Sequence, residues 1–83
     1  MNNFTEKQEK DIIFFKNSLS DFLTNDLLKH KFVVISNEKL QKSFDTLQSA
    51  LEYAVENFNK GDYIIQQIID DKEVINFARA VIV

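Results

Sequence analysis

At 83 residues the chain has the length of one small domain, and 45% hydrophobic with 28% charged side chains is the composition of a globular unit. With no Cys, no Pro and a single glycine, Gly61, it lacks the means for a disulfide framework, a thiolate zinc site, a cysteine nucleophile or a glycine-rich phosphate loop. A net charge of −3 has the wrong sign for a general nucleic-acid binder and is too mild for a polyanion mimic.

Residues 1–42 hold seven Lys against six acids, whereas residues 43–83 hold three basic residues against seven acids, so a weak dipole should run along the fold. Met1 to Lys10 is polar and charged, no secretory signal is visible, and no apolar run is long enough to span a membrane. These features predict one soluble domain over 1–83, with the cytoplasm as the expected location; the lack of Cys agrees.

Thr5-x-x-Gln8 has the form of a capping box and predicts a helix starting near Glu6. Ile12, Phe15, Leu19, Phe22, Leu23 and Leu27 recur at spacings of three and four, which carries that helix to about Leu28 as one element, although the Ser and Asp cluster near residue 20 could kink or break it. Phe32-Val33-Val34-Ile35 is β-branched and aromatic throughout, as in a strand covered on both faces. Ser36 to Lys39 reads as a tight turn centred on Asn37 and Glu38, and Leu40 to Phe44 as the returning strand. That register sets Ile35 opposite Leu40 and Val33 opposite Lys42, with Val33, Ile35, Leu40 and Phe44 on one face and Phe32, Val34, Gln41 and Ser43 on the other.

A second capping signature, Asp45-x-x-Gln48, precedes Leu47, Ala50, Leu51, Ala54, Val55 and Phe58 at helical spacing. Gly61 is expected to supply the left-handed residue that ends this helix, with Lys60 near its negative pole. Tyr63 to Ile69 and Val74 to Val83 then predict a second hairpin turning on Asp71 and Lys72, with Ile65 paired to Ala78 and Gln67 to Asn76. The predicted fold is therefore α+β: a two-layer α-β-β-α-β-β unit with a four-stranded antiparallel sheet, order 2-1-3-4 favoured over 2-1-4-3, and both helices on one face.

His30, the single histidine, lies between two lysines with no visible carboxylate partner, which favours a helix C-terminal residue over a general base. Asp62, Asp70, Asp71 and Glu73 match no cation-loop spacing and suit a solvated hairpin tip, so no metal and no cofactor is expected. Lys29, His30, Lys31, Lys39 and Lys42 form a basic stretch beside Phe32, but Asp26 and Glu38 dilute it, which argues against nucleic acid as the partner.

The candidate site is the second sheet face. Two helices on one side leave Phe32, Val34, Gln41, Tyr63, Ile65, Gln67 and Asn76 as an amide-dotted apolar surface, either open for docking, or a plain solvated sheet face, or covered by the first helix.

Lys31-Phe32-Val33-Val34-Ile35, Phe44-Asp45-Thr46 with Ala50 and Ala54, and Gly61-Asp62-Tyr63-Ile64-Ile65-Gln66-Gln67-Ile68 resemble a family of small bacterial domains of unknown function. In that family a GKFVVI strand, an FDSYEEAL cap and helix, and a GxFLIQQI strand recur, sometimes encoded beside retropepsin-like protease genes. The resemblance covers about residues 20–80, and His30 stands where the family usually has glycine. It implies a small α+β unit with no established catalysis and supplies no catalytic residue.

The expected function is a non-enzymatic protein-interaction module that docks a partner, or a second copy of itself, through the exposed sheet face or a strand edge. The alternative is a phage or mobile-element inhibitor or immunity-type protein that blocks a nuclease or defence enzyme with its acidic second half.

Overall fold

The computed structural model describes residues 4–70 and the backbone of residues 80–81. Its architecture is α+β, with two helices and the antiparallel strand order β2-β1-β3. Helix α1 spans Glu6–Leu23, strand β1 Phe32–Ser36, strand β2 Lys39–Phe44, helix α2 Leu47–Asn57 and strand β3 Ile64–Gln67. The segment Ala80–Val81 pairs antiparallel with β3, placing Ile65 opposite Val81 rather than Ala78. The rest of the expected fourth strand and its turn lies outside the described residues.

Helix α1 begins as its sequence dictates. The Thr5 hydroxyl accepts from the Gln8 N–H at 3.1 Å while the Gln8 side-chain oxygen accepts from the Thr5 N–H at 3.0 Å, so two otherwise orphaned donors are satisfied reciprocally. The helix stops at Leu23, with Thr24 as its C-cap, five residues before the expected Leu28. Thr24 Oγ1 donates to the Asp21 carbonyl and Asn25 Oδ1 accepts from the Leu27 N–H, so short polar side chains take over the backbone partners a further turn would need. Helix α2 is capped by Thr46, whose hydroxyl accepts from the Ser49 N–H, one residue later than the Asp45 signature implies.

The β1–β2 turn is the expected two-residue one. Asn37 and Glu38 both hold positive φ, 55° and 57°, the left-handed pair that matches the twist of a tight hairpin. Ile35 faces Leu40 as predicted, but Gln41 is then left without a cross-strand partner, and beyond it Val34 faces Lys42, Val33 faces Ser43 and Phe32 faces Phe44. This one-residue bulge inverts the facing of the strand beyond it, so Phe44 leaves the Val33 and Ile35 face for the Phe32 and Val34 face.

Both β2 and β3 run antiparallel to β1, so they are parallel to each other and their connection must cross β1. Helix α2 makes that crossing on one face, and α1 lies on the other. Phe15, with Ile12, Leu19 and Phe22, packs on Val33, Ile35, Ile64 and Ile68. Ala50 and Ala54, with Leu51, Tyr53 and Phe58, pack on Val34, Ile65, Tyr63 and Phe32. The helices therefore sandwich the sheet, which corrects the expected two-layer arrangement. An apolar stripe states that a helix is covered on one side and is silent on which sheet face covers it.

Gly61 also has a different task from the one expected. The C-cap of α2 is Phe58, in extended conformation, and the Asp62 N–H donates to the Asn59 carbonyl at 3.0 Å, closing a turn in which Gly61 is the third residue with φ 89°. A Cβ there would lie 2.9 Å from Thr5 Cγ2. Thr5 Oγ1 donates to the Gly61 carbonyl at 2.6 Å and Gln8 Nε2 to the Tyr63 carbonyl at 3.0 Å, so the N-terminal cap of α1 is tied to the entry of β3.

Candidate functional site

The sheet face expected to be open is interior. Val34 and Ile65 are fully buried and Tyr63 is 3% exposed, all beneath Ala50 and Ala54 of α2. Burial raises the Tyr63 phenol above its ordinary value. Phe32 is half-buried against the same cluster. Of the amides, Gln41 Nε2 donates to the Ser36 carbonyl at 2.8 Å and Gln67 Nε2 to the His30 carbonyl at 3.2 Å, so both serve local backbone. Asn76 lies outside the described residues. The structure thus assembles Phe32, Val34, Tyr63 and Ile65 into one cluster, as core rather than as a docking surface.

His30 is six residues beyond the α1 C-cap and does not sit at that helix terminus, which corrects the expectation. It holds a left-handed φ of 70°, its N–H donates to the Ile68 carbonyl at 2.7 Å, and the Lys31 carbonyl accepts from the Ile68 N–H at 2.9 Å. The position takes the backbone conformation that glycine adopts most cheaply. Of the four acids considered for a cation, Asp62 and Asp70 lie among the described residues, where no group of three or more potential metal ligands occurs. No helix there is long and apolar enough to cross a membrane.

What remains accessible is the outer edge of β2. Among the described residues this strand pairs only with β1. Lys39 stands opposite Ser36 and Lys42 opposite Val34, so the bulge at Gln41 brings both lysines to the α2 side of the edge, where an unbroken strand would alternate them. Lys42 Nζ lies 5.7 Å from the Phe44 ring centroid and 5.5 Å from that of Tyr53, which holds the ammonium over two aromatic faces. Lys31, nearby in the fold, is paired with Asp45.

A second feature was missed by the sequence reading. Asp11 of α1 is 0% exposed; its Oδ1 accepts from the Glu38 backbone N–H at 2.8 Å and, among the described residues, its Oδ2 has no hydrogen-bond partner. Burial raises its carboxyl above the ordinary carboxylate value; the Glu38 N–H and the Lys7 ammonium oppose that, and the Glu38 carboxylate adds to it. A sequence signal was present: Gln8, Asp11 and Phe15 follow helical spacing, which lays two polar residues on the buried stripe.

No protein-family model, curated protein or solved structure matches the chain.

Proposed function

We propose that the protein is a non-enzymatic interaction module that adds an extended, acidic segment of another protein to the free edge of β2. The observation carrying this reading is the edge itself: both sheet faces are covered by helices, while β2 keeps one side without a strand among the described residues. Unpaired backbone groups on such an edge supply affinity and flanking side chains supply selectivity. Lys39 and Lys42, gathered on one side by the bulge, favour a strand bearing Asp or Glu. The same pair disfavours a second copy, because β2-to-β2 pairing would bring like charges together.

The test is titration of the full chain with a labelled short peptide alternating Thr and Glu, against a peptide alternating Thr and Lys and a single-stranded oligo-dT. The reading expects saturable binding of the acidic peptide alone, weakened at least tenfold by Lys39→Glu with Lys42→Glu and by raised salt. Equal binding of both peptides, preference for the oligonucleotide, or insensitivity to the charge reversal would contradict it.

A further inference from the structure

The buried Asp11 calls for an account of its own. A carboxyl group fully enclosed with one oxygen unpartnered is rare, because a buried polar atom without a hydrogen bond costs more than the bond it lacks, and an ionised one costs more still. Its one hydrogen-bond partner among the described residues is the N–H of Glu38 in the β1–β2 turn, so it joins two separate elements, α1 and the hairpin. An aliphatic side chain would fill the same place without that penalty.

We infer that Asp11 is a proton-operated latch between α1 and the β1–β2 turn: protonated, it sits in the closed contact; ionised, it drives the turn off the helix so that water reaches Oδ2. The charged groups facing it are Lys7 on α1, one turn back, and the Glu38 carboxylate on the turn, with Asp62 before β3 engaging Lys7 at 4.0 Å. The Lys7–Asp62 pair is partly exposed, 44% and 38% by side chain, so solvent screens it and Lys7 is only a weak counter-ion for the enclosed carboxylate. The Glu38 carboxylate opposes ionisation, although the Glu38 N–H favours it more strongly. Opening the turn gives up that N–H bond and relieves the larger desolvation of Asp11 together with its repulsion from the Glu38 carboxylate. Ser36 Oγ donating to the Asp62 carbonyl at 2.6 Å and the β1 pairing with β3 hold β1 in place, and Leu40 packs on the core beneath α1, so the motion is confined to the turn at Asn37 and Glu38. The latch therefore acts at the Lys39 end of the proposed docking edge, and its test uses no partner, so its failure is distinct from failure of the docking reading.

The sign follows from linkage: a carboxyl raised in the folded state stabilises the closed contact below its ordinary pKa, and that contribution is lost as pH rises through the raised value. The experiment follows the Asp11 carboxyl by NMR titration and the Glu38 amide by hydrogen exchange, corrected for intrinsic rate, in the wild type, Asp11→Asn and Glu38→Gln. The expected result is an Asp11 midpoint above about 3.9. The Glu38 opening constant should rise with pH about tenfold for each unit of that displacement. The rise should persist, though reduced, in Glu38→Gln, disappear in Asp11→Asn, and be absent at the Ala54 amide of α2. An Asp11 midpoint at or below the ordinary value would overturn the latch, as would an unchanged pH response in Asp11→Asn or an equal response at Ala54. Should Asp11→Asn fail to fold, the wild-type midpoint and the contrast between Glu38 and Ala54 decide.

Discussion

Asp11 and Glu38 are 27 residues apart in the chain, and the side-chain Oδ1 of the first accepts the backbone N–H of the second at 2.8 Å. The contact pins the hairpin tip to α1, and it does so through a turn residue held at φ 57°. Non-glycine side chains tolerate that region at a cost of about 1–2 kcal/mol. Glu38 therefore combines a strained backbone with a carboxylate that adds, as the smallest cause, to the raised Asp11 carboxyl.

Glu38→Gly should accordingly stabilise the protein. The substitution completes the Asn-Gly pair that two-residue hairpins favour, keeps the N–H that Asp11 accepts, and removes the like charge. A gain of about 1 kcal/mol in urea unfolding is expected, together with a lower Asp11 midpoint in the NMR titration. A loss of stability would contradict the turn assignment.

His30→Gly should also stabilise, more modestly. At φ 70° the histidine forgoes about 1–2 kcal/mol relative to glycine, partly offset by the greater freedom of an unfolded glycine, about 0.4–1 kcal/mol. Thermal melts should show a small upward shift. The backbone bond from residue 30 to the Ile68 carbonyl is unaffected by the change, so a downward shift would mean that the imidazole makes an essential contact.

Gly61→Ala should destabilise by about 2 kcal/mol or more, combining a left-handed backbone with a Cβ 2.9 Å from Thr5 Cγ2. Thr5→Ser keeps the capping hydroxyl and its bond to the Gly61 carbonyl while deleting Cγ2. The double variant should thus recover part of the loss in a double-mutant cycle. Strict additivity would place the whole cost in the backbone and remove the clash from the account.

Val34→Asp separates the observed sandwich from an open sheet face. On a solvated face the change would be tolerated; beneath Ala50 and Ala54 it buries an unpaired carboxylate. With a typical total stability of about 5–15 kcal/mol, the variant should be unfolded or nearly so by circular dichroism. A folded Val34→Asp protein with wild-type melting would contradict the α2 placement.

Local chemistry was legible in the sequence. The Thr5 and Gln8 capping box, the Asn37-Glu38 turn, the Ile35–Leu40 pair and the α2 stripe through Ala50 and Ala54 follow from side-chain chemistry within a few residues. Long-range geometry was not. The bulge at Gln41 shows no local signature, yet it transfers Phe44 to the opposite face and gathers Lys39 with Lys42. The need for glycine at residue 61 was readable, but its reason, a turn pressed against Thr5, lies 56 residues away. The largest misreading, both helices on one face, arose because Phe32, Val34, Tyr63 and Ile65 form an apolar surface equally suited to a partner or to a helix of the same chain. The packing of Ala50 and Ala54 on Val34 and Ile65, with Phe15 on Val33 and Ile64 across the sheet, decides for α2.

The most direct test of the docking account is amide hydrogen exchange across residues 39–44 of the full chain, with and without a saturating excess of the alternating Thr-Glu peptide. Strand addition predicts new protection at the outward-facing amides of β2 and none on the outer surfaces of α1 or α2. Protection that leaves β2 unchanged, or that appears on either helix instead, would contradict it.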